Sequence, residues 1–78
     1  MVRKLRINEG WSSRYSDIYD FLNACNFEKK GNRYVASFGG HYACWDASTN
    51  TGFIYNDVED EDYTNLDWEE FIEKYYDL

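Results

Sequence analysis

Apolar positions recur along this chain with two periods. Tyr15, Ile18, Tyr19, Leu22 and Cys25 keep the i, i+3, i+4, i+7 spacing of one helix face, and Arg14, Asp17, Asp20 and Asn23 fill the other side. The pattern predicts an amphipathic helix of about 12 residues, capped by Ser12 or Ser13 and ended by Asn26. The same spacing returns at Trp68, Phe71, Ile72 and Tyr75. It predicts a second helix that starts near Asn65, is capped by Thr64 or Asn65, and leaves Asp67, Glu70, Glu73, Lys74 and Asp77 to solvent. Asp67, Glu69 and Glu70 suit the positive end of its dipole.

Between the helices the period changes. Residues 33–38 read as a strand, and Gly39-Gly40 as a two-residue hairpin turn whose central positions need positive φ. That turn sets Phe38 opposite His41, Ala36 opposite Ala43, Tyr34 opposite Trp45, Val35 opposite Cys44, Ser37 opposite Tyr42 and Arg33 opposite Asp46. A second turn through Ser48-Thr49-Asn50-Thr51 returns residues 52–56, and centring it on Thr49-Asn50 puts Ile54 beside Trp45. Residues 27–30 can enter the sheet ahead of a Gly31-Asn32 turn. Before the first helix, Val2, Leu5 and Ile7 alternate loosely with Arg3, Lys4 and Arg6 and suggest a short edge strand, broken by Asn8, Glu9 and Gly10. Small Ala36 and Ala43, flanked by Tyr34, Phe38, Trp45 and Ile54, mark the side that the helices cover. The expected fold is α+β: a three- to four-stranded antiparallel sheet with two helices packed on it, in the order (β)-α-β-β-β-α.

At 78 residues the chain is one small domain, residues 1–78, with a limited core that 21% aromatic residues help to fill. Charge divides it sharply. Residues 1–56 hold five acids and seven bases, while residues 57–78 hold ten acids and one base, Lys74, against a whole-chain net of −7. The first segment is thus mildly basic and the second strongly acidic. The basic start has no apolar stretch of a secretory signal behind it, and no apolar run nears the ~18 residues of a membrane span. The expected location is the cytoplasm of a host cell. There, Cys25 and Cys44 are expected as buried free thiols, a disulfide or a dimer contact being the alternatives.

Chemistry-bearing patterns are few. Calcium loops started at Asp57 or Asp60 both fail, the first with Asp62 and Trp68 and the second with Asn65 and Phe71 where glycine and glutamate belong. The soft zinc ligands are Cys25, His41 and Cys44, and His41 and Cys44 lie on opposite strand faces. His41 reads as a surface residue beside the turn. Nucleophilic catalysis needs a base beside Ser or Cys, and the chain has a single His. No enzyme activity, cofactor or metal is implied. Direct nucleic-acid binding has the wrong overall charge.

The acidic segment is interleaved with Tyr55, Tyr63, Trp68, Tyr75 and Tyr76, which argues that it folds. Held rigidly, Asp57, Glu59, Asp60, Glu61, Asp62, Asp67, Glu69, Glu70, Glu73 and Asp77 can imitate phosphates, ten charges matching about five base pairs. If extended, Asp57, Glu59 and Glu61 stand about 6.6 Å apart, near the repeat along one DNA strand. Glu70, Glu73 and Asp77 would project from one helix face. In its size, element order, acidic run Asp57–Asp62 and acidic helix Asp67–Asp77, the chain resembles phage-encoded anti-CRISPR proteins of the small acidic DNA-mimic type. The resemblance implies stoichiometric binding to a CRISPR effector complex, in the channel where Arg and Lys hold DNA and read the PAM. The mildly basic first half departs from the most acidic mimics and leaves room for Arg3, Lys4 and Arg6 to touch the target too. Two other readings fit the same charge: an immunity protein or antitoxin neutralising a basic nuclease, and a protein-interaction module without anion mimicry. The partner is a protein in each case, with no membrane.

Overall fold

The computed structural model describes residues 14–78. The expected strand at residues 2–7 and the caps at Ser12 and Ser13 lie outside them. Helix α1 spans Ile18–Ala24, and its described cap is Asp17, whose carboxylate accepts the Asp20 amide at 3.0 Å. Its stripe is Ile18, Phe21 and Leu22. Phe21, fully buried, takes the place expected for Tyr19, which is exposed and packs edge-on to Tyr34. The helix ends at Asn26 as expected. Asn26 adopts φ 59, and the amides of Asn26 and Phe27 return to the carbonyls of Asn23 and Leu22. This is a Schellman closure with its usual apolar clasp, here Phe27 against Phe21 at 5.8 Å between ring centroids.

Five antiparallel strands follow in simple meander order: β1 (Glu28–Lys30), β2 (Arg33–Phe38), β3 (His41–Asp46), β4 (Thr51–Asn56) and β5 (Glu61–Leu66). The Gly39-Gly40 turn has positive φ at both residues, and every expected β2–β3 pair is present. The next hairpin differs from expectation by two residues. Ala47–Asn50 form a four-residue loop, so Trp45 faces Gly52 and Ile54 faces Ala43. A two-residue slip keeps every side chain on its face. The fifth strand is the larger correction, because a sheet of three to four strands was expected and the acidic run Asp57–Asp62 is a tight turn that leads into β5. A bulge between Gly52 and Ile54 sets Thr64 and Asn65 against Phe53, with Asn65 at φ 56.

Helix α2 (Trp68–Tyr76) begins directly after β5. Its cap is Asp67 rather than Thr64 or Asn65. Asp67 accepts the Glu70 amide at 2.8 Å and Glu70 accepts the Asp67 amide at 3.0 Å, a reciprocal capping box. Phe71 and Ile72 are fully buried, and Trp68 and Tyr75 pack against the same core. Both helices lie on the side of the sheet that carries Ala43, Trp45 and Ile54, as the small residues predicted. The core is dense in rings: Phe71 meets Trp45 at 5.4 Å and Phe21 at 6.1 Å. No helix among the described residues is long and apolar enough to cross a membrane. Cys25 and Cys44 are free and half-buried rather than buried.

Candidate functional site: the acidic β4–β5 hairpin end

The turn between β4 and β5 is built by its own polar groups. Asn56, buried at the end of β4, accepts the amides of Val58 and Glu59 at 3.0 and 3.1 Å. Such a local side-chain bond mimics a backbone turn and starts the loop. Asp60 closes the loop in the left-handed region at φ 54. The Asp57 amide donates to His41 Nδ1 at 2.9 Å. His41 is buried, which corrects its reading as a surface residue: the turn folds over it. Gly40 permits this approach. A Cβ there would lie 2.7 Å from an Asp57 carboxylate oxygen.

Two tyrosines, one from each face of the sheet, then fix the loop carboxylates. Tyr55 donates to Asp60 at 2.9 Å, and Tyr63 donates to Glu59 at 2.7 Å. Asp60 accepts from the neutral phenol of Tyr55 and opposes its ionisation, which with further carboxylates nearby pushes Tyr55 up to about 12. Tyr63 is raised for the same reason, first by the Glu59 hydrogen bond and then by desolvation and the charges of Glu59, Glu61 and Asp77. The Lys74 ammonium lies 4.3 Å over the Tyr63 ring and so ties α2 to the hairpin. A cavity of about 40 Å³ between them is lined by Glu59, Tyr63, Lys74 and Asp77 among others.

The ten expected carboxylates therefore divide. Asp57, Glu59, Asp60, Glu61 and Asp62 form the hairpin end, with Asp77 beside them. Asp67, Glu69 and Glu70 sit at the opposite end of α2, about 13 Å away along its axis at 1.5 Å per residue. Glu73 is buried, contrary to the expected solvent position. It is thereby removed from the expected row Glu70, Glu73, Asp77. The expected row Asp57, Glu59, Glu61 is absent as well, because residues 57–60 turn instead of extending. Among the described residues, the ion pairs that form are Lys30–Glu28 and Arg33–Asp46, and neither involves these ten carboxylates. Sequence reasoning missed Asn56, His41 and the tyrosine clamps. The signal was there in Asn56 ahead of an acidic run flanked by Tyr55 and Tyr63. No protein-family model, curated protein or solved structure matches the chain.

Proposed function

We propose that the protein is an anti-CRISPR-like inhibitor. It binds a CRISPR effector complex stoichiometrically and blocks loading of DNA by occupying the basic surface that grips it. The observation that carries this reading is the acidic hairpin end. Five carboxylates fall within residues 57–62, two of them are held in place by phenolic hydroxyls, and none of the five forms an ion pair among the described residues. Fixed carboxylates meet a basic channel without the entropy loss of ordering a loose tail, and complementary charge speeds the encounter. The contacts narrow to Asp57, Glu59, Asp60, Glu61, Asp62 and Asp77, because Asp67, Glu69 and Glu70 lie at the far end of α2, where Asp67 and Glu70 cap the helix, and Glu73 is buried. The mimicry is of a compact charge cluster rather than of phosphates in a line.

The test is competition for DNA. A purified effector complex is given labelled target DNA with and without the protein, at low and at physiological salt. The wild type is expected to prevent loading, with the effect weakening as salt rises. A variant carrying Asp57→Lys, Glu61→Lys and Asp62→Lys should leave loading intact. Equal inhibition by that variant would sink the proposal.

A further inference from the structure

The face of the sheet turned away from both helices has its own chemistry. The strand register lays its side chains out in rows. One row runs Ser37, Tyr42, Tyr55, Asp62 from β2 to β5. The next holds Val35, Cys44 and Phe53, and beyond it lie Arg33, Asp46 and Thr51. Tyr42 is 38% exposed, and its ring leans on Phe53 at 6.0 Å between centroids. A cavity of about 310 Å³ opens beside these rings.

We propose that this face, centred on Tyr42, Phe53, Tyr55 and Asp62, docks arginine side chains of the partner. The inference rests on the reading of the hairpin end as a surface for a basic protein. Tyr55 is the join between the two, since it faces Asp62 across the strands and its hydroxyl donates to Asp60. That bond holds the ring in place beside the carboxylates. Cross-strand partners have Cβ atoms roughly 5 Å apart, so one guanidinium can lie flat on the Tyr55 ring while its edge meets the Asp62 carboxylate. Arginine is planar, delocalised and weakly hydrated, so one guanidinium stacks flat on a ring and pairs its edge with a carboxylate at once; a compact lysine ammonium sits over a ring or meets a carboxylate but has no plane with which to do both. The charge decides the occupant. Asp62 and the adjoining turn favour a cation, whereas a second copy would bring its own Asp62 and a net −7.

Nona-arginine and nona-lysine peptides, equal in charge, are the probes. Each is titrated into the intact protein by calorimetry, with the ring resonances of Tyr42, Phe53 and Tyr55 followed by NMR. Nona-arginine is expected to bind about threefold tighter or better, the worth of one exposed cation–π contact. It should also move the three rings more. Tyr42→Ala, or Tyr42→Leu if the smaller residue unfolds the sheet, should lower nona-arginine binding more than nona-lysine binding and so narrow that preference. Equal affinity for both peptides with unmoved rings overturns the proposal, and the acidic-end reading then stands if Asp57→Lys with Glu61→Lys abolishes both. Binding that survives those two reversals, or no binding of either peptide at low salt, overturns that reading as well. Ring shifts that follow protein concentration without peptide assign the face to a second copy and also overturn the proposal.

Discussion

Tyr55 and Asp60 are joined across the β4–β5 turn by a 2.9 Å hydrogen bond in which the phenol donates. The bond exists only while the phenol keeps its proton, so the turn carries an alkaline limit. Tyr55 is pushed up to about 12, first by that bond, then by desolvation and the charges of Asp60, Asp57 and Asp62. A raised folded value means that its contribution to stability is fully present below pH ~10. The contribution is lost as pH rises through about 12. Phenolate absorbance during a pH titration is expected to show at least one tyrosine ionising late. In Asp60→Asn that step should move back toward the ordinary tyrosine range. An unchanged titration would mean that Asp60 does not hold Tyr55.

Gly52 lets the Phe71 ring of α2 lie directly on the sheet. A Cβ at position 52 would overlap the Phe71 ring, which is fully buried against Trp45 and Phe21 and has nowhere to retreat. Gly52→Ala is therefore expected to destabilise by about 1–3 kcal/mol, the usual range for overpacking a dense core. For a domain of this size that lowers the melting temperature by roughly 4–8 °C per kcal/mol. Pairing it with Phe71→Leu should recover part of the loss, and the double-mutant cycle measures the coupling. Additive losses would show that the ring is not what the new methyl meets.

The loops after β3 and β4 are built alike. Asp46 accepts the Ser48 amide and Asn56 accepts the Val58 amide, and both loops end in a left-handed residue, Asn50 at φ 57 and Asp60 at φ 54. Substitution should separate conformation from function. Asn50→Gly relieves a positive φ without removing any side-chain bond seen at Asn50, and its thermal unfolding should change by only a few tenths of a kcal/mol. Asp60→Gly gives the same relief but releases Tyr55, so it should lower stability and weaken competition with DNA. Equal behaviour of the two variants would show that the Tyr55–Asp60 bond supports neither the fold nor the competition.

The first hairpin was legible in the sequence because Gly39-Gly40 dictates its turn, and one turn then determines six residue pairs. The Trp68, Phe71, Ile72, Tyr75 stripe was legible for a similar reason, since helical spacing and burial agree there. β5 was not. Glu61-Asp62-Tyr63-Thr64-Asn65-Leu66 has too few apolar residues to show a strand period, and its pairing comes from β4 and the turn rather than from its own propensity. Among the described strands it lies at the sheet edge, where acidic side chains and a bulge also discourage further pairing. α1 was misphased because Tyr19 and Phe21 both sit near the stripe, and only the position of Phe71 and Tyr75 selects Phe21. The acidic cluster was visible as composition, but its shape depended on Asn56, His41 and the two tyrosines, residues that carry no charge pattern.

The free carboxylates and the clamped ones should respond in opposite directions to neutralisation. Glu59 and Asp60 accept tyrosine hydroxyls, so Glu59→Gln and Asp60→Asn weaken charge-assisted bonds and should lower the melting temperature. Glu61 and Asp62 accept no hydrogen bond from a described side chain and stand beside like charges on a chain of net −7. Glu61→Gln and Asp62→Asn relieve repulsion and should raise the melting temperature by about 1–4 °C each, from a few tenths of a kcal/mol for a like-charge neighbour. Salt should do the same to the wild type, because the screening length falls from about 30 Å at 0.01 M to about 10 Å at 0.1 M. The double variant should gain less from salt. A charge that destabilises the fold yet is held at the start of a paired strand is what a binding surface requires, since activity and stability often oppose each other at one site. The decisive comparison is therefore within one variant: Glu61→Gln with Asp62→Asn should melt later and block DNA loading less. A variant that melts later and inhibits as before would show that these two charges serve neither the fold nor the partner.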